Sequence, residues 1–219
     1  MKILEKNGTK ILASVSAKDI SKDGSFIVPD GIDIIGKNAF AGSKNLKYVS
    51  IPDSVRIIET GAFMNCKSLV EITIPNSVTS LGSFCFDTCA SLTSAKIGNG
   101  IKKIEESTFC NCAKLSRLEL PSQLTSIGNS AFCYCSDLTK VTLPETLKDM
   151  GYASFAWCLR LKELRVPDST EVLGPFAIYK CPSLARISLP KGIQLGKQAI
   201  HECDIVSVVY REPNKDKNL

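Results

Sequence analysis

Residues 127–144 read Ile127-Gly128-Asn129-Ser130-Ala131-Phe132-Cys133-Tyr134-Cys135-Ser136-Asp137-Leu138-Thr139-Lys140-Val141-Thr142-Leu143-Pro144. The same skeleton returns up and down the chain. Prolines stand at Pro29, Pro52, Pro75, Pro121, Pro144, Pro167 and Pro190; every gap is 23 residues except one of 46, whose midpoint is Gly98. Pro213 lies one period further on. A fixed period of this size is the mark of a stacked-repeat architecture, in which each unit buries its apolar face only against its neighbours.

Six other columns hold the register. One before the proline come Val28, Ile51, Ile74, Ile97, Leu120, Leu143, Val166 and Leu189. Three before come Val49, Ile72, Ala95, Leu118, Val141, Leu164 and Ile187. Six after come Ile35, Ile58, Leu81, Ile104, Ile127, Met150 and Leu173. Eleven after come Phe40, Phe63, Phe86, Phe109, Phe132, Phe155 and then Ile178. Fourteen after come Ser43, then Cys66, Cys89, Cys112, Cys135, Cys158 and Cys181. Seventeen after come Leu46, Leu69, Leu92, Leu115, Leu138, Leu161 and Leu184. The last rung is one residue short at Cys203, with Ile200 in the phenylalanine column, as suits the end of a stack.

Leu69-Val70-Glu71-Ile72-Thr73-Ile74 alternates and is rich in β-branched residues, so it reads as a strand. Proline ends each strand because it has no N–H to give a ladder. Behind the strands, Phe132 and Cys135 stand three apart, a spacing that predicts a short helical turn with both side chains inward. The expected class is α/β: a solenoid with a curved parallel sheet on its concave face and short helical turns behind. Asn7-Gly8 between two β-rich runs predicts an N-terminal hairpin. The expected division is a hairpin cap and polar linker over 1–25, about eight rungs over 26–210, and a frayed polar tail over 211–219.

The recurring Ile-Gly-x-x-Ala-Phe-x-x-Cys-x-x-Leu-x-x-Ile-x-Ile-Pro resembles the BspA-type (Treponema pallidum type) leucine-rich repeat, from residue 26 to about 209. Gly98 for proline and Thr108 for alanine depart from it. The resemblance implies a leucine-rich-repeat solenoid. It also implies a non-catalytic module for binding protein or glycan, adhesin-like, in proteins often found at the surface or secreted. A spacer segment of a larger surface protein and an intracellular scaffold or effector are the alternatives.

Net charge is +5, short of the clustered Lys/Arg of a nucleic-acid binder. No apolar run approaches the ~20 residues that span a bilayer, so no membrane insertion is expected. The opening Met1-Lys2-Ile3-Leu4-Glu5-Lys6 lacks the apolar stretch of a secretory signal. The expected location is the surface or exterior if a signal was trimmed, and the cytoplasm otherwise.

Enzymatic chemistry finds little footing. His201 is the sole histidine, and neither a phosphate loop nor a dinucleotide fingerprint is present. No cofactor is expected. The cysteine column predicts buried thiols and no disulfides, since stacked side chains point alike and not at one another. Cys85 shares the small-residue column of Ala62 and Ala131 and reads as packing. Cys110 and Cys133, beside Cys112 and Cys135, bring four thiols onto two rungs, but a helical turn would aim Cys110 away from the ladder, and no metal site is assigned.

Two surfaces remain as candidates. The outward strand positions are polar and become basic over the later rungs, with Arg117, Lys140, Lys162, Arg165 and Arg186 suited to an acidic partner and Glu163 partly neutralising them. On the convex side Tyr134, Trp157 and Tyr179, with Tyr152 and Phe176 nearby, predict an aromatic interaction patch.

Overall fold

The computed structural model describes residues 1–205 and 207–212. Most rungs present two short strands and a run of turns. The first strand series comprises Ser25–Ile27, Tyr48–Ser50, Glu71–Ile74, Ser94–Ile97, Arg117–Glu119, Glu163–Arg165, Arg186–Pro190 and Ser207–Arg211. The second comprises Ile34–Ile35, Ile57–Ile58, Ser80–Leu81, Lys103–Ile104, Ser126–Ile127, Asp149–Met150, Val172–Leu173 and Gln194–Leu195. Paired residues are parallel and stand 23 apart, as in Glu71↔Ser94 and Ile34↔Ile57, until the end of the chain, where Val172 faces Gln194. In Glu71–Ile74 the side chains of Ile72 and Ile74 are buried while Glu71 and Thr73 face water, which is the two-residue period of a half-buried strand.

Lys2–Lys6 and Thr9–Ser14 form an antiparallel hairpin turned at Asn7 and Gly8, both with positive φ. Its second strand pairs in parallel with Ile34–Ile35, so the hairpin extends the second strand series and seals Leu12 inside. Residues 16–25 do not behave as a linker. Ala17–Asp19 is a 3₁₀ turn, Ile20 is buried, Gly24 accepts from the Lys47 N–H, and Ser25 opens the first strand.

The expected helical turns behind the sheet are absent: the back of each rung is a chain of tight turns, and the class is an almost helix-free parallel β-solenoid. The hydrogen bonds explain why. Along residues 38–43, every second N–H reaches the next rung (Asn38 to Thr60, Phe40 to Ala62, Gly42 to Met64). The others close local turns (Ala39 to Gly36, Ala41 to Asn38, Ser43 to Phe40). An α-helix directs its interior N–H groups along its own axis and leaves none for a neighbouring rung. This alternation requires left-handed corners in two columns. Asn38, Gly61, Phe84, Ser107, Ser130, Ala153 and Phe176 have φ of 50–64°. Gly42, Asn65, Thr88, Asn111, Tyr134, Trp157 and Lys180 have φ of 51–71°. Phe132 and Cys135 still both face the core.

That core is built of stacked columns. Six phenylalanines from Phe40 to Phe155 stack with ring centroids 4.7–5.6 Å apart and planes within 19°. Phe26 closes the column edge-on against Phe40 at 5.1 Å. The thiols beside them are buried and free, and each donates to the carbonyl of a phenylalanine one rung back: Cys66 to Phe40 at 3.1 Å, Cys89 to Phe63 and Cys112 to Phe86 at 3.2 Å. Another core column, three after the proline, escaped the sequence reading: Ile32, Val55, Val78, Ile101, Leu124, Leu147 and Thr170 are all buried. The turn that starts at the proline brings it inward, as the Val55 N–H bonds to the Pro52 carbonyl. At Gly98 an added Cβ would lie 2.5 Å from the Pro75 carbonyl oxygen, so this rung packs backbone on backbone.

Arg211, placed by the sequence in a frayed tail, belongs to the strand Ser207–Arg211 and faces Pro190. Its guanidinium bonds Asp168 at 2.7 and 3.1 Å and also reaches Ser188 and the Val166 carbonyl, clamping three rungs at the C-terminal end. Pro213 and the rest of the tail lie outside the described residues.

Two outcomes follow. Burial pushes the Cys66 thiol from 9.0 up to about 12, and raises Cys89, Cys112 and Cys135 as well. Unfolded thiols ionise near pH 9 while these hold their protons. The contribution to stability is therefore complete below pH 9 and is lost as pH rises from 9 towards 12, by up to about 1.4 kcal/mol per pH unit for each thiol. Urea unfolding followed across this range should show the decline, and Cys89→Ala should flatten it. Separately, Thr88 is a β-branched residue at φ 61°, in the column where Asn65 and Asn111 sit. Thr88→Asn should stabilise the chain by about 0.5–1 kcal/mol in the same assay, because asparagine tolerates the left-handed region far better.

Candidate functional site

On the strand face, Lys140, Lys162, Arg165 and Arg186 surround two adjoining open depressions. One, of about 370 Å³, is lined by Lys140, Glu145, Glu163, Arg165, Arg186 and Ser188 among others. The second, of about 560 Å³, adds Lys162 and Ser207. They open where the strand series lapses: no strand is formed between Glu119 and Glu163 in this series, although the Thr139 carbonyl still accepts the Lys162 N–H at 3.2 Å. Arg117 is exposed but lies off both depressions.

The charges here are not equivalent. Arg165 is paired with Glu145 and lies 3.7 Å from Asp168, so much of its charge is answered within the chain. Lys140, Lys162 and Arg186 have no acidic partner within 4 Å among the described residues. Glu163 lines both depressions. Glu145 sits in the turn beyond Pro144, in the polar column of Asp30, Asp53, Asn76, Asn99, Ser122 and Asp168, and sequence reasoning that followed the apolar and strand columns missed it.

The opposite side carries aromatic side chains. Tyr134 and Trp157 occupy the same column on adjacent rungs and stack at 5.3 Å with planes 13° apart. The ammonium of Lys180, next in that column, lies 4.5 Å from the Trp157 ring, and Glu202 follows it at 3.4 Å from Lys180. Tyr179 stands edge-on to Trp157 at 6.1 Å, donates its hydroxyl to Glu202 at 3.0 Å, and stacks on His201 at 6.0 Å. The Tyr179 hydroxyl, and then Glu202, hold the Lys180 pKa above its usual value. Tyr134, Tyr152, Trp157, Phe176 and Tyr179 line an open depression of about 420 Å³ whose floor includes Cys133, Ala153 and Ala156. Tyr134 is 43 % and Tyr152 51 % exposed, too open for rings whose purpose is core packing. Tyr134, Trp157 and Phe176 stand at left-handed corners that swing their side chains outward, a geometry that sequence periodicity does not encode.

No group of three or more metal-ligating side chains is present among the described residues. Among the described residues no helix is long and apolar enough to cross a membrane.

A sequence model described as the BspA type leucine-rich repeat region matches residues 20–138 and 102–216, with six copies. No curated protein matches the chain. A leucine-rich repeat protein from Bacteroides ovatus has a similar structure, with a TM-score of 0.71 and 25% identity over 96% of this chain and 62% of that one. A leucine-rich repeat protein from Eubacterium ventriosum gives 0.69 and 25% over 94% and 50%. A leucine-rich cell surface protein from Faecalibacterium prausnitzii gives 0.56 and 23% over 88% and 60%, a likeness of fold. The chain thus spans between half and two thirds of the length of these structures.

Tyr134→Ala should remove the stack on Trp157, cost about 0.5–1.5 kcal/mol, and shift the emission of this sole tryptophan to longer wavelength as its ring face meets water. Unchanged emission would show that the two rings do not cover each other.

Proposed function

The chain belongs to the BspA-type leucine-rich repeat family, and from that premise we propose that it is a non-catalytic interaction module that takes an acidic protein or glycan on the concave strand face of its later rungs. Repeat solenoids of this kind are generally non-enzymatic and suggest a protein-interaction or surface role, and members are often surface or secreted proteins. The observation that carries the reading is the convergence of Lys140, Lys162 and Arg186 around adjoining depressions with no acidic partner of their own among the described residues. Unanswered cations at a concavity attract and orient an anionic partner. Arg165 contributes after exchanging Glu145 for the ligand, and Arg117 lies outside the contact.

In this reading the hairpin and following turns over 1–25 cap the stack, residues 26–210 form the binding surface, and the family resemblance puts an adhesin-like role at the cell surface first. Neither nucleic acid nor membrane enters. The aromatic patch at Tyr134, Trp157 and Tyr179 supplies a second contact. A spacer role is the competing reading, favoured by one fact: similar solved proteins are longer than this chain, so the repeats there are part of a larger molecule.

Binding to an immobilised poly-glutamate peptide and to a sulfated glycan separates these readings. Wild type should bind at least one in a salt-dependent manner, and Lys140→Glu with Arg186→Glu should weaken it about tenfold or more without changing the unfolding midpoint. Loss with Trp157→Ala alone would move the site to the convex face. Binding indifferent to all three changes, or none at all, would favour the spacer.

A further inference from the structure

Eight of the ten cysteines have a structural explanation. The seven that follow one another along the core column each donate to a backbone carbonyl one rung back, and Cys85 is wholly buried among small residues. Cys110 and Cys133 do neither. They occupy the same column on adjacent rungs, twelve after the proline position, and face the convex side. The Asn111 N–H bonds the Cys133 carbonyl at 2.8 Å, which holds the two rungs in register at this point. The two thiols lie near enough to perturb each other's ionisation, and the Asn111 side-chain amide approaches the Cys110 sulfur at 3.4 Å. Cys110 is half-exposed, and Cys133 lines the floor of the aromatic depression.

We propose that Cys110 and Cys133 form a thiol–disulfide exchange site, closed into an inter-rung disulfide by small disulfides such as oxidised glutathione. Rungs in parallel register place equivalent Cα atoms ~4.8 Å apart, inside the ~4.4–6.8 Å range of disulfides. The core thiols from Cys66 to Cys181 stand at the same spacing but point inward, bond to carbonyls, and are buried away from an oxidant. Exchange proceeds in two displacements. The Cys133 thiolate attacks one sulfur of the glutathione disulfide, forming a mixed disulfide and releasing one glutathione thiolate. Cys110, after giving up its proton to solvent, attacks the Cys133 sulfur and expels the second. One small disulfide is consumed, two small thiols are produced, and the protein loses two thiol hydrogens. The neighbouring Cys110 thiol lowers the Cys133 pKa and favours it as the first nucleophile. A small thiol reductant reverses the bond by the same exchange run backwards. Trp157 packs on the same small cluster as Cys110 and Cys133, so closure is reported by the only tryptophan.

The test uses the folded wild-type chain. It is incubated with oxidised glutathione, alkylated without reduction, and digested for mass spectrometry. The expected product is one linked peptide pair, Cys110 to Cys133, with the core thiols free, a change in Trp157 emission, and full reversal by dithiothreitol. Cys110→Ser should instead accumulate a glutathione adduct on Cys133. A chain with no linked pair would overturn the proposal. So would a link between Cys181 and Cys203, the other neighbouring thiols with one half-exposed member, in place of Cys110 and Cys133.

Discussion

Parallel strand pairing sets the rungs ~4.8 Å apart, and everything else in the molecule has to fit that pitch. Packed helices need 8–10 Å between their axes, so a helix behind every strand would force the back of the stack open to about twice the width of the front. Here the back keeps the pitch of the front. The phenylalanine rings repeat at 4.7–5.6 Å and the outermost aromatic pair, Tyr134 on Trp157, at 5.3 Å. The turn run achieves this by sending every second N–H to the neighbouring rung, and the left-handed corners are the conformational cost. Phenylalanine suits the pitch because flat rings can stack at this separation. Cysteine suits it because a small thiol fills the adjacent space and still donates to the phenylalanine carbonyl.

This separates what the sequence discloses from what it conceals. Side chains that repeat with the rung and face inward are visible as columns, and the phenylalanine, cysteine and leucine columns all lie in the core. The helical expectation for Phe132 and Cys135 rested on their three-residue spacing, which a helix and a succession of tight turns share. Only the destination of the intervening N–H groups distinguishes the two, and that depends on the rung next door. The column three after the proline, aliphatic from Ile32 to Leu147, stands in a stretch that reads as turn, and its inward course shows only in the turn that starts at the proline. The candidate site divides in the same way. Arg165 and Arg186 share a face because strand alternation puts them there, while Lys140 and Lys162 join them from backbone that lies outside any strand. The pairing of Arg165 with Glu145 joins a strand residue to a turn residue of the rung before it, a meeting that only the fold brings about.

The two faces differ in how they tolerate variety. On the strand face the backbone is held by the ladder, so outward residues can change charge from rung to rung, and the Lys96–Glu119 pair at 3.6 Å shows local compensation across one step. On the turn face, side chains at the left-handed corners project far enough to touch their equivalents. Runs such as Tyr134, Trp157, Lys180 and Glu202 therefore behave as continuous stripes along the axis. Chemistry that needs neighbouring rungs to cooperate, whether ring stacking or the meeting of Cys110 with Cys133, concentrates there.

The alternating hydrogen bonds also give the molecule a mechanical character. Nearly all of its backbone bonds between rungs lie along the stack axis, so tension applied to the two ends loads them one rung at a time. A rung that peels away releases 23 residues, about 75 Å of extended chain, while the rungs behind it remain folded. The Arg211 clamp stiffens the C-terminal grip of this spring, and the hairpin stiffens the other. Under a sustained pull such a chain lengthens in steps and rewinds when released, dissipating force instead of snapping.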